Sequence, residues 1–169
     1  MNVRRLVEED AETYVELRKE MLVDSPFSFL ASPEDDRGSD VEETRRRLGA
    51  GSDAAIFGAF DDGLVGAAGI FRAAHLKAAH KAVVWGVYVT PRARRSGVGR
   101  LLIRAVVEHA RSMPGISHVY LSVSERSPDA QALYESEGFR AWGREPGAMR
   151  VDGVLADEIH LTLRLEDRD

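Results

Sequence analysis

The segment from Lys81 to Arg111 restricts the fold more than any other part of this chain. Residues 81–90 form a nearly continuous apolar run that ends at Pro91, a pattern typical of a strand covered on both faces. A helix follows from Gly97 to Arg111, and its polar stripe is so narrow that most of its surface must be buried. A buried strand followed by a buried helix predicts helices packed on a sheet.

The rest of the chain supplies further strands and helices in mixed order. Alternation predicts strands over residues 3–7, 55–60, 64–72, 118–124, 140–145 and 155–165, in addition to 81–90. Spacing and helix breakers predict helices over residues 10–24, 41–48 and 128–137, in addition to 97–111. Ser127 is expected to cap the helix that follows it with its hydroxyl, because proline stands at the first helical position. Asp61-Asp62-Gly63 predicts a tight hairpin, and Gly86 marks a bulge or a close backbone approach. The result is an α/β or α+β domain around a mixed sheet.

The composition excludes several classes of protein. With 44% apolar and 30% charged residues, the 169-residue chain has the composition of one folded domain. It contains no cysteine, which excludes disulfides, thiolate metal sites and cysteine nucleophiles. No apolar run reaches the ~20 residues that span a bilayer, and the N-terminus is unlike an export signal, so we expect a cytoplasmic protein. The five histidines have no metal-ligand spacing, so no metal site is predicted.

A cluster of arginines stands out in this acidic chain. The net charge of −5 argues against nucleic acid as a partner, yet five arginines fall between Arg92 and Arg104. Gly97 and Gly99 lie at the start of the following helix, where backbone N–H groups lack partners and the helix dipole is positive. Glycine leaves these donors open, and the arginines add charge. The segment therefore predicts a phosphate-binding site.

Two common phosphate-binding motifs do not fit this segment. The nucleotide P-loop requires a Lys-Ser/Thr pair after its glycines, and the sequence has none here. The dinucleotide fingerprint requires a third glycine where Leu102 stands, and no acidic ribose partner follows ~20 residues later. A different phosphate compound is therefore expected.

The pattern that remains is Arg94-x-x-Gly97-x-Gly99 after a buried strand. It resembles the pyrophosphate-binding loop of the GNAT superfamily of acyl-CoA-dependent N-acetyltransferases. A second segment, Leu121 to Phe139, is similar to the strand–helix–strand unit that follows this loop in the family. The resemblance implies an α/β, single-domain GNAT-like fold over residues 1–169, with a mixed, mostly antiparallel sheet of about seven strands flanked by about four helices. It also implies acetyl-CoA as co-substrate and no metal.

The resemblance assigns roles to residues of both segments. Tyr134 matches the tyrosine that points at the thioester sulfur, where a phenol can protonate the leaving thiolate. The implied cofactor-binding residues are Val87, Tyr88, Val89, Arg94, Arg95, Ser96, Gly97, Val98, Gly99, Arg100 and Ser127. Backbone N–H groups near the Gly86 bulge are expected to polarise the thioester carbonyl.

Three positions depart from the family pattern. Serine stands at Ser127 in place of the usual asparagine, and arginine stands at Arg95 in place of glycine. Ser122 lies where some members have a glutamate that acts as general base, so the base is unassigned here. Tyr134 also falls on an apolar helix face, so a packing role for it stays open.

The implied activity is transfer of an acetyl group from acetyl-CoA to an amine by direct attack in a ternary complex. A non-catalytic acyl-CoA sensor and an anion-binding regulator of nucleic acid stay open as alternatives. The expected partner is a small-molecule or peptide amine, with no nucleic acid and no membrane, and whether the chain forms a homodimer stays open. We expect loops at Ser25–Arg37 and Ala73–His80 to form the acceptor wall, and Trp85 to line it or to pack in the core. Arg104 is expected to form a structural ion pair with Glu108.

Overall fold

The computed structural model of the chain describes residues 1–165. Within them seven strands occur: β1 (Asn2–Arg5), β2 (Ala54–Phe60), β3 (Leu64–Arg72), β4 (Lys81–Val89), β5 (His118–Ser124), β6 (Arg140–Val151) and β7 (Val154–Arg164). The α-helices of the same residues are α1 (Ala11–Asp24), α2 (Val41–Leu48), α3 (Val98–Ser112) and α4 (Pro128–Ser136). The predicted α/β arrangement of seven strands and four helices is confirmed. None of the helices in residues 1–165 has the length and apolar composition needed to cross a membrane.

The strands form one mixed sheet in the order β1-β2-β3-β4-β5-β7-β6. Within residues 1–165, neighbouring strands of this sheet pair antiparallel, except β4 and β5, which pair parallel. A parallel pair needs a long crossover connection, and the chain provides one through α3. The mostly antiparallel sheet is therefore confirmed, and its parallel junction involves the strand that precedes the arginine-rich turn.

Each face of the sheet is covered by different helices. α3 packs its buried residues Leu102, Ile103 and Val106 against one face, where they belong to the larger core. Met21 of α1 and Leu48 of α2 belong to a second core on the opposite face. Full burial of an aliphatic side chain contributes about 1.5–3 kcal/mol, so both layers hold the sheet firmly. The central strand β4 is thereby fixed from both sides.

The first strand ends earlier than predicted. β1 stops at Arg5, and a short 3₁₀ turn over Glu8–Asp10 leads into α1. The Asp10 carboxylate accepts hydrogen bonds from the Val7 N–H at 2.9 Å and from the Arg4 guanidinium at 2.7 Å. These bonds turn the chain away from the sheet, which strand propensity alone does not predict.

The sixth strand is longer than predicted. Pro146 and Gly147 favour a strand end at Glu145, yet β6 continues to Val151. A register irregularity between Glu145 and Met149 absorbs the extra residues, and pairing with β7 resumes beyond it. The breaker residues therefore mark a bulge in this strand rather than its end.

Candidate active site

A β-bulge at Gly86 changes the side-chain alternation of β4. Gly86 and Val87 together oppose one residue of β3, and Gly86 has a φ of +59°. Glycine adopts this left-handed conformation at little cost, and the predicted bulge is confirmed. As a result Trp85 and Tyr88 both pack on the α1 side of the sheet, whereas Val87 and Val89 pack on the α3 side. Strict alternation would put Trp85 and Val87 on the same face.

The strands β4 and β5 separate after a short stretch of pairing. Parallel pairing joins Lys81–Val83 to His118–Tyr120. Beyond it, β4 continues to pair with β3 as far as Val89, and β5 continues to pair with β7 as far as Ser124. Within the described residues, the facing edges of the two strands therefore have no strand partner. An extended ligand with amide groups can hydrogen-bond to such an edge.

Three cavities follow one another through this opening. The large cavity, of about 890 Å³, reaches from the N-terminus of α3 to Tyr134. The central cavity, of about 80 Å³, lies between β4 and β5 and shares Val87, Ser127 and Tyr134 with the large one. The far cavity, of about 360 Å³, shares Trp85 and Ser122 with the central one. Neighbouring cavities share wall residues, so the three lie in a row along the gap between β4 and β5, and this row is called the passage below.

The N-terminus of α3 opens into the large cavity. Gly97 is the N-cap residue with a φ of +87°, and the Leu101 N–H donates to the Gly97 carbonyl at 3.1 Å. The N–H groups of residues 98–100 therefore have no acceptor within the helix. A Cβ atom at Gly97 would meet no other atom within 4 Å, so the space outside it is open. An anion can reach these donors at the positive end of the helix dipole.

Two arginines of this region line the large cavity and are also held by carboxylates. Arg94 Nε donates to the Val89 carbonyl at 2.9 Å, and its guanidinium pairs with Asp24 at the end of α1. Arg100 Nε lies 3.2 Å from Glu137, which follows α4. These contacts fix the positions of both guanidinium groups around the cavity.

Arg95 occupies a backbone position of glycine type. Its φ is +64°, in the left-handed region that arginine seldom adopts. The side chain is 84% exposed, and its Nη1 lies 3.3 Å from Asp129. The turn thus keeps at this position the left-handed backbone conformation that glycine favours, although the residue is an arginine.

Arg104 has a partner that the sequence interpretation missed. Its guanidinium donates two hydrogen bonds, of 2.8 and 3.2 Å, to Glu137, which lies 33 positions later in the sequence. Glu108, the predicted partner, lies 4.0 Å from Arg111. Helical spacing reveals neighbours one turn away, but it cannot reveal a contact between α3 and the end of α4.

Tyr134 lies where the large and central cavities meet. Its ring packs edge-on against Phe139 with a centroid distance of 6.3 Å, and 6% of the residue is exposed. Among residues 1–165 its hydroxyl has no hydrogen-bond partner. Burial raises the pKa of Tyr134 above its ordinary value, so the phenol keeps its proton at neutral pH. The hydroxyl is a proton donor that is available to a bound ligand.

Ser127 does not cap α4 with its hydroxyl, contrary to the prediction. It stands at the N-cap position before Pro128, but its ψ of +60° differs from the extended value that brings a side chain over the helix N–H groups. Its Oγ instead lies 3.3 Å from Ser28 Oγ, at the wall of the large and central cavities. The predicted N-cap position is correct, and the hydroxyl lies on the cavity wall, where a ligand can contact it.

The large cavity brings together most of the predicted cofactor-binding residues. Those on its wall are Val87, Tyr88, Val89, Arg94, Arg95, Gly97, Arg100 and Ser127. Ser96, Val98 and Gly99 are not on this wall: the Ser96 hydroxyl donates to the Ala93 carbonyl, the Val98 side chain is buried, and Gly99 packs beside Leu133. The tyrosine hydroxyl of Tyr88 points towards α1 and donates to Glu20 at 3.0 Å.

A profile of the acetyltransferase (GNAT) family matches residues 14–139 of this sequence. The chain belongs to the GNAT acetyltransferase family. No match was found among curated proteins.

Solved structures share the GNAT fold over nearly the whole chain. A GNAT-family acetyltransferase from Streptococcus pneumoniae has a TM-score of 0.87 at 17% identity, covering 97% of this chain and 99% of its own. A putative acetyltransferase from Salmonella typhimurium, solved with its cofactor acetyl-CoA, has a TM-score of 0.84 at 17% identity, covering 100% of this chain and 96% of its own. A ribosomal-protein-alanine N-acetyltransferase from Brucella melitensis has a TM-score of 0.79 at 21% identity, covering 98% of this chain and 100% of its own. At these identities the likeness shows the fold alone.

The wall of the far cavity in this GNAT protein differs from the expected one. Trp85 lines it, as do Phe29 and Ala31 of the loop that was expected to form the acceptor wall. No residue of Ala73–His80 lines any of the three cavities. Trp142 of β6 lines it instead, and sequence reasoning missed it because the long-range pairing of β6 with β7 is not a local signal.

Proposed function

We propose that this protein transfers an acetyl group from acetyl-CoA to the amine of an acceptor, by direct attack within a ternary complex, and that the chain acts as one acetyltransferase domain. The observation that carries the proposal is the passage between β4 and β5. It has an anion-binding helix N-terminus at one end, a protonated phenol in the middle and an open cavity at the other end. GNAT membership supports acyl transfer, and the acetyl-CoA bound by the Salmonella protein supports the choice of donor.

The large cavity suits the co-substrate in both chemistry and size. In our proposal the diphosphate lies beside Gly97 and Arg100, the wall residues at the N-terminus of α3, where the helix dipole is positive, and Arg95 and Arg100 add positive charge. The pantetheine arm then follows the unpaired edge of β4 at Val87–Val89 and directs the thioester to the central cavity. A volume of about 890 Å³ lies within the usual range for a ligand pocket.

The reaction requires a nucleophile, a polarised carbonyl and a protonated leaving group. The neutral amine attacks the thioester carbonyl carbon, so a C–N bond forms and the C–S bond breaks. Backbone N–H groups near the Gly86 bulge polarise the carbonyl oxygen. Tyr134 gives its proton to the departing sulfur, and the proton that the nitrogen loses restores the phenol through water. The products are the acetylated amine and free CoA.

Two measurements test this proposal. The protein is incubated with isotopically labelled acetyl-CoA and a panel of amines and peptides, and acetylated products are identified by mass spectrometry. Thermal unfolding is followed with acetyl-CoA, CoA and NAD, and at a 100-fold excess over the dissociation constant we expect a stabilisation of about 2.7 kcal/mol by acetyl-CoA. Stabilisation without turnover would favour a non-catalytic acyl-CoA sensor. Equal stabilisation by NAD would contradict the cofactor assignment.

A further inference from the structure

The far cavity opens on the part of the sheet face that β5 and β7 contribute. In these strands the core residues Leu121 and Ile159 alternate with polar residues of the opposite face. Ser122 pairs directly with His160 across the two strands, and Glu158 pairs with Ser124. Directly opposed residues point to the same face of a sheet. Glu158 and His160 therefore share one wall of the far cavity with Ser122.

Glu158 of this wall lies close to a second carboxylate, that of Glu145, which is exposed and does not itself line the far cavity. The ligand atoms of Glu145, Glu158 and His160 all lie within 4.8 Å of one another, and His160 Nε2 is 3.4 Å from Glu145. Glu158 is half-buried, and among residues 1–165 its side chain makes no hydrogen bond or ion pair. Like charges at this separation repel each other, and a bound cation relieves that repulsion. The wall thus favours a positively charged ligand.

The other walls of the far cavity combine aromatic side chains with aliphatic ones and with Arg18. Trp142 is 61% exposed, and its ring lies 5.5 Å from the His160 ring. Trp85 and Phe29 line the cavity from the opposite side. Arg18, also on the wall, is already held by Asp36 through hydrogen bonds of 2.8 and 2.6 Å. Aromatic faces attract organic cations and pack against methylene chains, which a bare metal ion does not need.

The charged wall is also separated from the reacting centre. Glu158 lines the far cavity but not the central one, which Tyr134 lines, and Trp85 and Ser122 lie on the walls of both the central and far cavities. In the proposed reaction the attacking nitrogen lies in the central cavity, so a cation bound at Glu158 would be a second nitrogen of the acceptor. The ligand that fits has two nitrogen positions joined by a short apolar spacer.

We propose that the acceptor is a diamine, or an amine with a second cationic group, whose distal cation binds Glu158 in the far cavity while its reacting amine lies in the central cavity. This inference rests on the proposed acetyl transfer and names its substrate class. A volume of about 360 Å³ holds a small organic molecule. Trp142 and Trp85 pack against the spacer, and Glu145 supports Glu158 in binding the distal charge.

The test compares amines that differ by one charge. Linear diamines of three to six carbons are each assayed against the monoamine of the same length, with acetyl-CoA and the native protein. We expect the best diamine to exceed its monoamine in kcat/KM by about tenfold or more, because a hydrogen bond to a charged group contributes that much. Glu158→Gln is expected to remove this preference by lowering the diamine's kcat/KM to about that of the monoamine of the same length. Glu16→Gln, an exposed glutamate on α1, is the matched control and should keep the preference.

A binding measurement separates this inference from the proposed reaction. Calorimetry with CoA present measures the affinity of the same diamine and monoamine for the native protein, Glu158→Gln and Trp142→Ala, with circular dichroism to establish folding. Trp142 is mostly exposed, so its removal keeps the fold and should weaken diamine binding severalfold. Equal affinity for diamine and monoamine, or turnover of peptides alone, would each overturn the diamine site. Diamine binding that depends on Glu158 without any turnover would support the site and contradict the acetyl transfer.

Discussion

Replacing Tyr134 by phenylalanine separates catalysis from packing at the centre of the passage. Phenylalanine keeps the ring and its edge-on contact with Phe139 at 6.3 Å, and the change removes only the hydroxyl. That hydroxyl has no hydrogen-bond partner among residues 1–165, so its loss breaks no bond within the protein. We expect the free energy of unfolding to stay within about 1 kcal/mol of the native value, and any change should be an increase.

The effect of the same change on catalysis is expected to be large. Loss of a general acid typically lowers turnover by ~100- to 10,000-fold, which corresponds to about 2.7 to 5.4 kcal/mol in the barrier. Because burial raises the pKa of Tyr134, its ionisation should not reduce turnover of the native protein at any pH up to its ordinary value of ~10. Affinity for acetyl-CoA should be nearly unchanged.

Steady-state kinetics and melting curves of the Phe variant measure both effects. Tyr14→Phe is the matched control, since Tyr14 is a buried tyrosine of α1 that lines none of the three cavities. Its turnover should be normal whatever its melting temperature. Near-normal turnover in Tyr134→Phe would refute the reasoning, leave Tyr134 as a packing residue and move the proton donor to water or another group.

Three further substitutions test the loop and the fold. Gly97→Asp should abolish acetyl-CoA binding measured by calorimetry, because its carboxylate would occupy the anion site. The control Gly97→Asn has the same backbone strain without the charge and should bind acetyl-CoA more tightly than Gly97→Asp. Equal affinities of the two variants would contradict an anion site. Arg95→Gly should raise the free energy of unfolding in urea by about 0.5–1 kcal/mol, because relief of a left-handed arginine outweighs the added chain entropy, and a loss of stability would contradict this. Asp36→Asn should cost about 3 kcal/mol at neutral pH, because it leaves Arg18 buried without its carboxylate. Burial alone would raise the pKa of Asp36, but hydrogen bonds from Arg18 and Ser39 outweigh burial and lower it. The ion pair therefore stabilises the fold fully above the ordinary carboxyl pKa near 4, and this stabilisation is lost as the pH falls through the lowered pKa. Urea unfolding as a function of pH should show the loss in the native protein and not in Asp36→Asn.

Local signals in the sequence predicted most of the fold. The Asp61-Asp62-Gly63 turn was predicted correctly, and at Gly86 the structure has the bulge, one of the two predicted alternatives, because each feature depends on the conformational preference of one or two residues. The cofactor-side wall followed from a compact motif around Gly97 and Gly99, in which neighbours in sequence are also neighbours in space.

The features that the sequence did not reveal depend on contacts between distant elements. The Arg104–Glu137 pair joins α3 to the end of α4, and Trp142 reaches the far cavity through the pairing of β6 with β7. The alternation of Glu158 and His160 with apolar residues was visible in the sequence. That these two residues form a charged cavity wall could be inferred only once the structure showed which face of the sheet is open beside Glu145.

The short pairing between β4 and β5 also has a consequence for the mechanics of the protein. It divides the sheet into two blocks, β1–β4 and β5–β7–β6, which share the backbone bonds of Lys81–Val83 and the packing of α3 across the junction. Amide protons on the facing edges beyond Val83 should exchange with solvent rapidly, and amides inside each block slowly. A ligand that fills the gap can hydrogen-bond to the unpaired edges of β4 and β5 and so link the two blocks. The loaded protein should therefore unfold as one cooperative unit, whereas the empty protein should open first along this seam.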